Sequence, residues 1–526
     1  MKTVDEILGM YRDRANELGL IHQQMRNIRT MANSDIIVPL NELDEHARAS
    51  VANLMVQGLE QMSMRVGSVL PVPKFPPLRM SEKGKQQARD RREAMLGIWD
   101  QNRMGMKLRR RARHLLGYSE SPVIIEPDFK NLRPRWRVIN PLDVFPAPLD
   151  DFDDPMPQDC IIAWQQTYSW LMRNYPEQIP MLKVPKDCAP DTRFTLLQYI
   201  DAYEMTVIVK GSEEEESVFQ PMKLSGHMPA LRLEWTPNRC EMPLVVIPRR
   251  ITLDKPRGQF DGMLNMFYTR ARLQALNEIA IERGIFPDEY LVSRPGEVPE
   301  IIQVADGRTG QVGIVRGGEL QQLQSNPGYK TDVLLDRIER QERLEGSIPA
   351  DFGGESASNI RTGRRGENVL SATIDFRVQE AQALFQESLI VEDKIAIQIE
   401  KTYWGNTSKS FIVPGRAKDA YMDYSPNKLW ESDEHYVQYP AAGSDINNLI
   451  IGLGQRLGTG LISKESAREA DPLISDPELE HDRITAEGVE AALLASIQQQ
   501  AAMPEGPYQP RDLANLVKKV TQEGKS

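Results

Sequence analysis

Helical spacing of apolar residues runs through the first 120 positions of the chain. Val51, Leu54, Met55, Leu59 and Met62 mark a helix over 44–66, and the run PVPKFPP at 71–77 stops it. A second helix is predicted from about 81 to 116, with Met95, Trp99, Met106 and Leu116 facing inward. Its last turns hold Arg109, Arg110, Arg111 and Arg113. Positive charge there complements the C-terminal end of the helix dipole, so these arginines read as a solvated face before they read as a nucleic-acid site. From 121 to 250 the pattern changes to short apolar runs between prolines: PVIIEP, RWRVINP, CIIAWQQT, FTLLQYIDAYEMTVIV, ALRLEW and PLVVIP. Period-two pairs such as Trp136 with Val138, and Leu197 with Tyr199, predict half-buried antiparallel sheet.

The stretch from 260 to 404 carries the most information. Residues 260–284 read as a helix with two apolar stripes, one of Phe260, Leu264, Phe267 and Ala271, the other of Met266, Leu273, Leu276 and Ala280. Such a helix suits contact with neighbours on both flanks. Short strands and turns follow (EYLVS, IIQVA, VGIVR), and then a helix over 332–345 that is charged almost all round. A small β insertion between two helices is an excursion from a helical hairpin, not a domain in series. The run ADFGGESASNIRTGRRGEN after Pro349 is rich in Gly, Ser and Asn and predicts a loop. It leads into the longest helix, 366–404, free of proline, with Ile374, Val378, Ala381, Phe385, Leu389, Ala396, Ile399 and Tyr403 on one stripe that Glu392 interrupts. At about 1.5 Å per residue that helix is roughly 60 Å long. Strands and loops over 405–443 precede a helical tail over 445–457, 463–470 and a last helix opened by Ser475, Asp476 and Pro477.

Composition narrows the class. Hydrophobic content of 40% and charged content of 26% fit globular modules, and no apolar run approaches the roughly 18 residues that span a bilayer, so no membrane is expected. The N-terminus carries acids from its fifth residue, unlike a signal or transit peptide. Cys160, Cys188 and Cys240 stand apart without a CxxC or Cys/His cluster, which predicts buried thiols in a reducing compartment and no metal. A net charge of −11 argues against a protein whose main task is gripping nucleic acid, but not against one that DNA passes without adhering.

Catalytic signatures are missing from the sequence. There is no GxxxxGK[ST] loop, HExxH or GxSxG, and the glycines of GLGQRLG at 452–458 fall inside a helical tail. His22, His46, His114, His227, His435 and His481 are scattered singly, and the acidic loops DDFDDP (150–155) and GSEEEES (211–217) lack the ligand spacing of a calcium loop. No cofactor is expected, and the reading is of a non-enzyme with a structural or conduit role.

The order of elements, together with the phrases WRVINPLDVFPAP (136–148), SIPADFGGESASNIRTGRRGENVLSA (347–372) and GLISKESAREADPLISDPELEHDRITAE (460–487), resembles the portal proteins of tailed double-stranded DNA bacteriophages, especially those infecting actinobacteria. The resemblance covers nearly the whole chain, and its strength lies in the order of the parts. It implies an α+β, mostly helical portal fold. The wing would span 1–253, a first stem helix 254–284, a small β clip 285–328 and a second stem helix 329–346. A tunnel loop over 347–365, a spine helix over 366–404, a wing return over 405–443 and a crown with tail over 444–526 would follow.

By the same resemblance, Phe260, Leu264, Phe267, Leu273 and Leu276 would lie at a stem interface between subunits. Arg294, Glu297, Arg308 and Arg316 would sit on the clip that meets the terminase large subunit and later the head–tail adaptor. Ser356, Asn359, Arg361, Arg364 and Arg365 would line the DNA channel, the arginines either touching phosphates or pairing with Glu355, Glu367 or a neighbour's acids. The expected assembly is a homo-oligomeric ring, a dodecamer, set in the capsid among major capsid protein and scaffold, with double-stranded DNA passing through it. It would be made in the host cytoplasm and end in the virion. Two other classes are a Mg²⁺-dependent nucleic-acid-processing enzyme built on Asp150, Asp151, Asp153 and Asp154, and a scaffold-like capsid assembly protein.

Overall fold

The computed structural model describes residues 1–501 apart from 35–36, 41–44, 49–50, 52, 150, 152–153, 182–188, 211–230, 254, 286–288, 294, 297–299, 308–309, 317, 323–330, 347, 349–362, 413–420, 440–445, 472–473 and 475–476. Among the described residues helix accounts for 55% and strand for 20%, an α+β and mostly helical composition. Two compact units emerge: Met1–Ile412 with Tyr421–Gly443, and Val413–Ala420 with Ser444–Ser526.

The first unit opens with α1 (Val4–Glu17), whose N-terminus is closed by a reciprocal capping box between Thr3 and Glu6, and α2 (Gly19–Ala32). Helix α3 (Leu54–Ser68) begins later than the expected 44, because Asn53 accepts from the Val56 amide and caps it there. Upstream, Glu45–Arg48 pairs antiparallel with Ile37–Leu40; these four residues offer no apolar face of helical period.

The single helix expected over 81–116 is two, α4 (Glu82–Gln101) and α5 (Met104–Tyr118). Asn102 makes the break. Its side chain donates to the Ile98 and Pro134 carbonyls and accepts from the Trp136 amide, while Arg103 turns left-handed at φ 53°. The break shifts the helical phase. Met95, Trp99 and Leu116 stay buried, but Met106, expected inside, is 70% exposed.

A five-stranded antiparallel sheet runs in the order Leu231–Pro237, Glu204–Val209, Arg193–Asp201, Asp159–Thr167, Val144–Pro146. Its middle strand was expected to be half-buried, yet Leu196, Leu197, Tyr199 and Ile200 are all buried. The reason is that both faces are covered. Ile7 of α1 packs with Ile161, Leu197, Tyr199 and Ile208 on one side. On the other, Leu171 of α6 (Tyr168–Asn174) packs with Leu196, Val207 and Val209. A smaller sheet joins Val245–Val246, Val123–Asp128 and Arg133–Val138.

Helix α7 (Met263–Ile285) and helix α8 (Thr331–Glu345) pack antiparallel, with two β pairings between them in sequence: Glu289–Ser293 with Gly318–Gln322, and Glu300–Gly307 with Gly310–Arg316. The long helix α9 spans Gly363–Trp404, 42 residues, three more at its start than expected. After it, Lys409–Ile412 pairs with Tyr421–Tyr424, α10 (Pro426–Leu429) makes one turn, and Tyr436–Gln438 pairs back onto Val72–Lys74. The second unit contains α11 (Ile446–Gly458), α12 (Lys464–Ala470, capped by Ser463) and α13 (Pro477–Ala501). GLGQRLG lies within α11, as its place in a helical tail implied.

Candidate functional site

Two features stand out: the hairpin of α7 and α8, and the buried seat of α9. Phe260, Met263, Leu264, Phe267 and Ala271 bury against Ile28, Met31, Met55, Met62, Leu116 and Ile348, so the foot of the hairpin grows out of the helical core. Above that layer, Arg270 reaches across to Glu342 at 3.0 Å and Glu339 at 3.3 Å, and Arg343 holds Glu339 at 2.8 Å. Burial pushes the Glu342 carboxyl up to about 7, against the pull of Arg270. The foot is also tied to α9. Gln259 donates to the Gly346 carbonyl and accepts from Arg377, and Arg250 pairs with Glu380.

This packing corrects the interface expectation for one stripe. Phe260, Leu264 and Phe267 are consumed by the chain's own core, because α2, α3 and Ile348 cover them. Leu273 and Leu276, on the second stripe, remain half-buried. Arg364 and Arg365, expected in a loop, lie in the first turn of α9. Past Gly363 no proline interrupts, so helix propagates back through them. Ser356, Asn359 and Arg361 lie outside the described residues, as do Arg294, Glu297 and Arg308. Arg316 ends its strand opposite Glu300.

The seat of α9 is what periodicity missed. Glu392, expected only to interrupt an apolar stripe, is fully buried and takes two hydrogen bonds from Arg111, at 2.6 and 2.9 Å. Ser388 donates to it at 2.5 Å and the Trp136 indole at 2.9 Å, while the Arg111 guanidinium lies over the Phe385 ring. Arg111 therefore does not belong to a solvated face; the neighbouring Arg109 and Arg110 do. The next residue, Asp393, accepts from the Trp99 indole at 2.8 Å and faces His435 Nε2 at 3.3 Å. Burial raises the Asp393 carboxyl to about 6 despite His435. Burial opposes charge on His435 as well, but Asp393 wins and holds its pKa above the ordinary value. Two turns on, Glu400 takes Lys409 at 2.7 Å, the Tyr424 hydroxyl at 3.0 Å and the Trp430 indole at 3.2 Å. Three of the seven tryptophans thus spend their N–H on carboxylates of one helix.

Glu392, Asp393 and Glu400 are shut away from solvent and each accepts at least one side-chain hydrogen bond, so they tie α9 to the elements around it. Burial pushes the Cys160 thiol up to about 12 and that of Cys240 up to about 11, which keeps both protonated near pH 7. Cys188 lies outside the described residues, as do Asp150 and Asp153 of the acidic loop; Asp154 closes a local turn onto the Met156 amide. Among the described residues no group of His, Cys, Asp and Glu could hold a metal ion. No helix of the described residues is long and apolar enough to cross a membrane. No known family model matches the chain, and no curated protein matches it in sequence.

Proposed function

We propose that the chain is the portal protein of a tailed double-stranded DNA bacteriophage, a non-enzymatic subunit of the ring through which the genome is packaged and ejected. The observation that carries this reading is one arrangement: an antiparallel hairpin with a β excursion at its far end, followed by a 42-residue helix seated on buried ion pairs. A channel subunit needs that division of labour. The hairpin supplies a wall, the excursion a docking tip for terminase and then the head–tail adaptor, and the seated helix a strut that transmits load.

Charge supports the same reading. About twelve copies at −11 each would carry roughly −130, which repels phosphates and keeps DNA sliding. A closed ring needs two different faces on each subunit, and the half-buried second stripe of α7 offers one of them. Native mass spectrometry of the purified chain tests the assignment. A single species of about twelve subunit masses is expected; a monomer at every concentration would overturn it.

A further inference from the structure

The hairpin of Val123–Asp128 and Arg133–Val138 ends in a turn that holds apolar side chains in solvent. Phe129 is 60% exposed, resting edge-on against Tyr403 at 5.3 Å, and Leu132, left-handed at φ 51°, is 42% exposed. Cations gather around them. Lys130 follows Phe129 in the turn, Arg133 and Arg135 share one face of their strand, and Arg103 and Lys107 lie one turn apart at the start of α5. Burial, then Arg135 and Arg133, hold the Lys107 pKa down to about 8, and among the described residues no carboxylate offsets them. The two acids of the hairpin are already committed. Asp128 accepts from the Lys130 and Asn131 amides and the Asn131 side chain, and Glu126, opposite Arg135, holds Arg137 at 2.7 Å. An excess of cations around two exposed apolar side chains fits a partner surface that is both acidic and apolar.

The chain, at a net charge of −11, carries such a surface itself. On the outer face of α1, Asp13 and Glu17 lie one turn apart, both exposed and neither paired among the described residues. Leu18 keeps right-handed helical dihedrals, so Leu20, 83% exposed, follows Glu17 on that face. We propose that the hairpin tip of one copy docks on the α1 face of a second copy, with Phe129 and Leu132 against Leu20, and Arg103 and Lys130 against Asp13 and Glu17. The two surfaces come from different elements, so the contact is heterologous and repeats from copy to copy. It serves the ring proposed above and rests on that reading. A DNA backbone would answer the cations but leave Phe129 and Leu132 in water, whereas the α1 face answers both.

Sedimentation velocity of the full chain in dilute salt tests this. Arg103→Glu with Lys130→Glu, both at exposed positions, is expected to raise the concentration at which multimers form by about tenfold or more, and Asp13→Lys with Glu17→Lys to do the same. Circular dichroism checks the fold of each variant. The chain with all four changes carries the same pairing with its signs exchanged and is expected to assemble as the unaltered chain does. Unchanged assembly of either double variant, or no recovery in the fourfold variant, would overturn the docking and leave the ring reading standing. So would a hairpin variant that assembles unchanged but loses affinity for a labelled DNA duplex, which would assign the cations to nucleic acid. An unaltered chain that stays monomeric would overturn both.

Discussion

Arg111 and Glu392 lie 281 positions apart and meet in a site that excludes water entirely. Removing one partner leaves the other charged and buried, which costs about 3–5 kcal/mol. Glu392→Ala and Arg111→Met are each expected to lose that much in urea unfolding. The double variant Arg111→Met, Glu392→Met should lose less than either single change, since neither charge is then stranded. Glu342 gives a second residue-level test, through pH. Its carboxyl titrates about 7 in the folded chain against 4.5 ordinarily, so the folded state holds the extra proton between those values. The contribution is favourable below pH 4.5 and is lost as pH rises through 7. Glu342→Gln cannot titrate, so its melting temperature should fall less than that of the unaltered chain between pH 5 and pH 8, taken as a window about the shift.

Helices and strands were legible in the sequence wherever one apolar face sufficed to define them. The strand segments between 121 and 250, helix α7 and the long helix all carry their period openly. Apart from the start of α3, which a local cap decides, the larger misses were set by distant partners. The break after α4 depends on Asn102 reaching Pro134 and Trp136, contacts that no local window contains. The seat of α9 was missed because a carboxylate on an apolar stripe looks like an interruption until its arginine is known. One signal was present: Glu392 on an apolar stripe was out of place unless a buried cation met it. Packing between elements is equally non-local. Gly67 lets α3 approach α5 so closely that a Cβ would stand 2.9 Å from the backbone of Arg109. Gly67→Ala is expected to cost about 1–3 kcal/mol in urea unfolding, since backbone cannot move aside as a flexible side chain would.

For the whole molecule, the portal reading requires that surfaces left bare on one copy be covered by the next. Helix α8 leaves Val333 and Leu334 exposed, and α7 leaves Ile281 exposed near its end. Singly these need no explanation, but on a hairpin that lines a ring they would meet a neighbour. Val333→Asp with Leu334→Asp is therefore expected to shift the chain to smaller species in analytical ultracentrifugation while leaving its circular dichroism unchanged. The central claim is closure of that ring around a hole. Electron micrographs of the purified chain test it most directly. Closed rings of about twelve subunits around a central hole are the expected result; monomers, open fibres or shells would contradict it.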